Sequence, residues 1–230
     1  MDLPGERGVS VAALLLSDSR FPAGGHAHSG GVEPAVTAGT VSDLASLEAF
    51  LRGRLRTAGL VAAGLAAAAC ARAGAEPLDS LDAEADARAP SPAQRAASRR
   101  QGRALLRAAR VAWPDDDGLA ALAGYRGGPH HAVVLGASAA AAGCDAGDAA
   151  RIAAYQSVAG PASAAVRLLA LDPMRATAVL ARLARDVDQI AERAAATADG
   201  PLDELPCPSA PALDLLAEAH IRAEVRLFES

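Results

Sequence analysis

The sequence predicts an all-α protein, a single domain of about eight packed helices over residues 1–230. Three observations carry that expectation. Hydrophobic residues make up 51% of the chain and aromatics only 3%, so much of the apolar content is alanine. Alanine is the best helix former because its side chain has no rotamer freedom to lose. Leu44, Leu47, Leu51 and Leu55 recur at spacings of three and four, which marks one apolar helical face. Helix boundaries are also signposted. Ser91-Pro92-Ala93-Gln94 combines a cap, a first-turn proline and a glutamine able to close a capping box, Asp172-Pro173 repeats the cap and proline, and Gly200-Pro201 is a stop.

In chain order, residues 9–19 form a short helix with Leu14, Leu15 and Leu16. A Gly-rich loop at 20–33 follows, then a helical turn from Glu33 to Ala38. A long helix starts near Ser42 and runs to about Ala73, with possible breaks at Gly59 or Gly64, and Glu48 and Arg52 form a favourable i,i+4 pair on it. Residues 74–90 read as loop plus a short helix, 91–113 as a helix, and 114–129 as loop or a short helix between loops. His130 to Ala142 is apolar and small, a buried helix. Asp145 or Asp148 caps the next one, which Gly160-Pro161 kinks or breaks before it continues to Leu171. Leu180, Leu183, Val187 and Ile190 give the following helix its apolar face. A Pro-rich linker leads to a last helix carrying Leu213, Leu216, His220 and Val225, and residues 222–230 form a flexible tail.

Composition excludes several function classes. The net charge of −5 argues against nucleic acid as a partner, because phosphate binding needs clustered cations. All 22 basic residues are arginine. A chain without lysine has no P-loop, Schiff-base or kinase lysine, so no nucleotide hydrolysis of its own is expected. Cys70, Cys144 and Cys207 form no C-x-x-C pair and read as reduced thiols in a cytoplasmic protein. Asp2, Glu6 and Arg7 stand where a basic signal-peptide region would be, and the run from Gly59 to Ala71 is too short for a membrane span.

The segment Pro22-Ala23-Gly24-Gly25-His26-Ala27-His28-Ser29-Gly30-Gly31-Val32-Glu33 stands out, with four glycines, two histidines and a serine between helices. Glycine permits backbone angles and close approaches that other residues do not, and such loops carry function on rigid scaffolds. His26 and His28 are two candidate metal ligands where a stable site wants three or four. The short ligand count favours a role as part of a protein-binding surface or as caps on nearby backbone. Ser29 beside a histidine and Glu33 superficially suggests nucleophilic catalysis, but no G-x-S-x-G elbow occurs and nothing specifies a triad. His130 and His131 are adjacent and point in different directions, so one caps or packs at the helix start. His220 reads as a partly buried histidine on the last helix. Ser98-Arg99-Arg100-Gln101-Gly102-Arg103 is an arginine cluster on a helix. Gly102 costs about 1 kcal/mol there relative to alanine, which implies a close helix or partner contact, and Arg103 with Arg107 can face acids of another chain.

These segments together resemble the UreF family of urease accessory proteins. The Gly-rich loop matches its N-terminal signature at Pro22, Gly24, Gly25, His26, His28, Ser29, Gly31, Val32 and Glu33. Ser98, Gly102, Arg103, Leu105 and Leu106 match a Ser-x-x-x-Gly-Arg-x-Leu-Leu segment. His131 to Gly143 and Ala164 to Leu169 match further helices, and Arg226-Leu227-Phe228 with Ser230 matches the C-terminus. Ala170-Leu171-Asp172-Pro173 departs from the family's Pro-Leu-Gly-Gln. The resemblance implies an all-α, non-enzymatic, homodimeric chaperone without a cofactor of its own. Such a protein bridges a UreD/UreH-type scaffold and the GTPase UreG and delivers nickel to apo-urease. It also implies partner binding through Pro22, Gly24, Gly25, His26, His28, Ser29, Gly31, Glu33, Gly102, Arg103, Arg226 and Phe228. The alternative from the residues alone is a metal-binding protein or metalloenzyme built on His26, His28 and His220.

Overall fold

A computed structural model of the chain describes residues 10–23, 27–223 and 226–228. Its helices are α1 (Val11–Ser17), α2 (Val32–Thr37), α3 (Leu44–Arg54), α4 (Leu60–Arg72), α5 (Asp79–Ala87), α6 (Pro92–Ala112), α7 (Asp117–Leu122), α8 (His131–Ala141), α9 (Ala146–Leu169), α10 (Pro173–Ala195) and α11 (Pro211–His220). A π turn (Leu55–Gly59) joins α3 to α4 without interruption, and a 3-10 turn (Leu202–Glu204) precedes α11. No strand occurs among the described residues, so the all-α class holds.

Side-chain caps set the boundaries. Asp43 accepts from the Ser46 amide at 2.8 Å, and the Ser46 hydroxyl accepts from the Asp43 amide, which closes a capping box at α3. Asp145, not Asp148, caps α9, accepting from the Asp148 amide at 2.9 Å. Asp172 caps α10 through the Met174 amide at 2.9 Å. At α6 Ser91 is the cap, accepting from the Gln94 amide at 3.2 Å, and it has a distant partner as well. The Ser91 hydroxyl donates to Glu218 Oε1 at 2.6 Å, and the Ala93 amide donates to the same oxygen at 3.0 Å, tying α11 to the start of α6.

Helix α4 is the centre of the molecule and packs against α8, α9 and α10. Ala66, Ala67, Ala68 and Ala69 are fully buried on it, so neighbours approach almost to backbone contact. A Cβ on Gly136 of α8 would lie 2.2 Å from the Ala66 carbonyl oxygen. Gly64 does not break α4. It makes room for Pro206 of the Pro-rich linker, whose Cδ would lie 2.8 Å from an added Cβ. The run Leu44–Arg72 is long and apolar enough to cross a membrane by length and composition, and 61% of its most apolar window is buried inside the fold as core.

Helix α9 runs unbroken through Pro161, so the expected break does not occur. Proline has no N–H to give the carbonyl four residues back, which is that of Ser157. Arg54 Nε donates to the Ser157 oxygen at 3.0 Å and replaces the missing bond. Helix α9 ends at Ala170 in the left-handed region, φ 48°, where glycine is usual. Helix α11 stops at His220, short of the expected Val225, which lies outside the described residues.

Candidate functional site

The Gly-rich loop leaves its turn through two consecutive left-handed glycines, Gly30 at φ +58° and Gly31 at φ +90°. A Cβ on Gly30 would meet Pro161 Cγ at 2.8 Å and Arg54 Cζ at 3.2 Å. Absence of that carbon lets the loop press onto α9 at the proline, over the arginine that mends it. Burial pushes the Arg54 guanidinium down to about 10, so it stays charged at neutral pH. Ser29 is fully buried, and its hydroxyl has no hydrogen-bond partner among the described residues. Pro22 is exposed and His28 partly buried, while Gly24, Gly25 and His26 lie outside the described residues.

Gly31 caps α2, and Glu33 sits in the first turn with its side chain buried. The positive end of a helix favours a carboxylate there. The carboxylate reaches across to the other end of the chain. Oε1 accepts from the Leu227 amide at 2.7 Å and Oε2 from the Phe228 amide at 2.9 Å. His220, at the end of α11 and buried, places Nε2 at 3.1 Å from the Phe228 carbonyl oxygen and 3.5 Å from Glu33 Oε2. Because a carbonyl only accepts, Nε2 carries the proton in this arrangement. The Phe228 ring packs 5.9 Å from the Arg167 guanidinium carbon, a cation–π contact. Tail and loop are therefore latched together by charge-assisted hydrogen bonds, with Arg226 and Leu227 exposed beside them.

A second histidine site joins α5, α6 and α8. His130 is buried, with Nε2 at 2.8 Å from Asp86 Oδ1 and Nδ1 at 3.0 Å from the Ser98 hydroxyl. Its amide donates to Asp82 Oδ1 at 2.7 Å. Arg99 bridges Asp82, Asp86 and the Gly128 carbonyl. Burial raises the Asp86 carboxyl, but the hydrogen bonds from His130 and Arg99 outweigh it and hold the group below its ordinary value. Gly102 serves the same junction, since a Cβ there would lie 2.0 Å from the Pro129 carbonyl oxygen. Its contact is thus within the chain. Arg103 is exposed and donates to the Gly127 carbonyl.

His131 is held near neutrality by burial, its value pushed down to about 4, with nearby His28 adding a smaller repulsion. Burial likewise pushes the Cys70 thiol up to about 12, so it remains protonated. Among the described residues no group of three or more His, Cys, Asp or Glu side chains is arranged to hold a metal.

Of the residues singled out in the sequence, the fold brings Glu33 and Phe228 into one site and sets Gly102 and Arg103 beside the second. His220 and Arg167 complete the latch, and nothing in their local sequence marks them as tail ligands. Arg54 carries a signal only in retrospect, since a proline inside a helical pattern requires some distant donor.

The UreF family model matches residues 41–184. Urease accessory protein UreF of Mycolicibacterium vanbaalenii strain PYR-1 is 48% identical over 227 residues, covering 96% of this chain and 99% of that protein. Urease accessory protein UreF of Mycobacterium tuberculosis strain H37Rv is 47% identical over 223 residues, covering 96% of this chain and all of that protein.

Proposed function

We propose, because the chain belongs to the UreF family of urease accessory proteins, that it acts in the cytoplasm as a non-enzymatic, homodimeric adaptor for nickel insertion into apo-urease. In this reading it bridges a UreD/UreH-type scaffold and the GTPase UreG. Nickel is cargo of the assembly, not a resident ion of this chain.

The observation that carries the reading is the Glu33 carboxylate taking both tail amides. It joins the two segments of strongest family resemblance into one surface. Arg226 and Leu227 are exposed on it, and Leu215 and Ile221 are exposed on the neighbouring end of α11. Arginine beside large apolar side chains is the composition from which interface anchors are drawn. Opening three hydrogen bonds releases the Leu227–Phe228 segment, so a partner that favours one state can redistribute it. Binding of the scaffold selects the ordered tail, and the ordered tail with the loop then receives UreG. An Arg226 fork on a UreG carboxylate suits that step.

The test is capture of UreG by this protein in complex with its UreD/UreH partner, wild type against Arg226→Ala. Wild type captures UreG. The variant keeps the scaffold and loses at least about tenfold in UreG affinity, the cost expected for one interface arginine. Equal capture by the variant contradicts the docking role of the tail.

A further inference from the structure

The C-terminal half of α6 and the segment after α7 enclose a cleft of about 950 Å³. Arg103, Arg107 and Arg110 line it at helical spacing, with Val111, Tyr125 and Pro129. Its charge is one-sided, as no aspartate or glutamate is among its lining residues. Arg103 is engaged only with the Gly127 carbonyl, and Arg107 and Arg110 have no carboxylate partner among the described residues. Several arginines elsewhere are neutralised by ion pairs. Arg52 binds Glu48 and Asp186, Arg99 binds Asp82 and Asp86, and Arg182 binds Glu48. Like charges four residues apart on a helix repel, so an unneutralised row is costly in a chain with 27 acidic residues available.

The cleft is also structurally prepared. Gly128, at φ +84°, leaves room for the Arg103 stem, whose Cγ would lie 2.4 Å from an added Cβ. Burial and a hydrogen bond with Asp79 raise the Tyr125 hydroxyl. Val111 stands 83% exposed at the rim, an apolar contact beside three cations.

We propose that this cleft docks an acidic segment of a partner protein, one whose carboxylates alternate with apolar side chains. The carboxylates meet Arg103, Arg107 and Arg110, and an apolar side chain covers Val111. Charge complementarity selects this occupant: the cleft is basic and partly apolar on a protein of net charge −5. It shares no lining residue with the tail latch, so the two can fail separately.

The probe is a fluorescently labelled amphipathic peptide with glutamates at i, i+4 and i+7 and leucines between, titrated with the full chain by anisotropy. Wild type binds saturably, and affinity falls with rising salt. The charge reversal Arg107→Glu/Arg110→Glu weakens binding at least about tenfold, and a peptide with lysines for glutamates recovers it on that variant. Val111→Asp, at an exposed position, weakens binding with an unchanged melting curve. Absence of saturable binding to wild type overturns the proposal. So does equal affinity for the charge-reversed chain when circular dichroism shows it folded. Displacement of the peptide by millimolar inorganic phosphate or ATP, at matched ionic strength, overturns the peptide as occupant and assigns a phosphate site instead.

Discussion

Two histidine sites in this molecule use the same chemistry for different ends. At His130 a buried imidazole, two aspartates and an arginine join α5, α6 and α8, and every member stands on or beside a helix of the packed body. At His220 a buried imidazole and one glutamate hold two amides and a carbonyl of a chain end. In the first site the hydrogen bonds fix helices that hydrophobic burial already brings together. In the second they hold the Leu227–Phe228 segment, together with the Phe228 ring against Arg167. The lesson is that a polar cluster becomes a rigid joint or a releasable latch according to what surrounds it, not according to the residues it contains.

Perturbations sharpen that contrast, beginning with the joint. Arg99→Ala leaves the buried Asp82 without its cation and Asp86 with only His130 and the more distant Arg95. It costs about 3 kcal/mol, read as a lowered midpoint in urea. Gly102→Ala forces a methyl group against the Pro129 carbonyl. A loss of about 2 to 3 kcal/mol follows, again visible in urea, and an unchanged midpoint would return Gly102 to a purely partner-facing role.

Acid probes the contact between the joint and the loop. His131 titrates near 4 in the fold against 6.5 in the unfolded chain. Above 6.5 both states hold a neutral ring and the group contributes no pH dependence. As pH falls from 6.5 toward 4 the unfolded chain takes the proton first, so stability drops across that window, by about 3 kcal/mol. His131→Gln flattens this part of the stability–pH curve. The smallest global effect belongs to the latch. Glu33→Gln keeps one carbonyl acceptor for two amides and changes overall stability by less than about 1 kcal/mol, while loosening the tail.

Much of the architecture was legible because local chemistry decides it. Ser91, Asp172 and the leucine spacing of α3 act within a turn or two of where they stand. What stayed hidden depends on long-range partners. Pro161 reads as a break until Arg54, over a hundred residues earlier, supplies the donor. Ser91 reads as half of a local capping box until Glu218 arrives from α11. The same division runs through the candidate site. Glu33 and Phe228 were legible through family resemblance, but the bond between them spans nearly the whole chain, and nothing in either segment announces the other. Gly102 shows the remaining ambiguity: a helical glycine announces close contact without saying whether the neighbour is its own chain, and here it is Pro129.

Amide hydrogen exchange compares joint and latch in one experiment, following the Leu227 and Phe228 amides beside that of His130 in wild type and Glu33→Gln. A releasable latch predicts that the tail amides exchange through a local opening, at a free energy well below that of His130, and that Glu33→Gln speeds the tail without moving His130. Tail amides that exchange only with global unfolding, at the same free energy as His130, would contradict it.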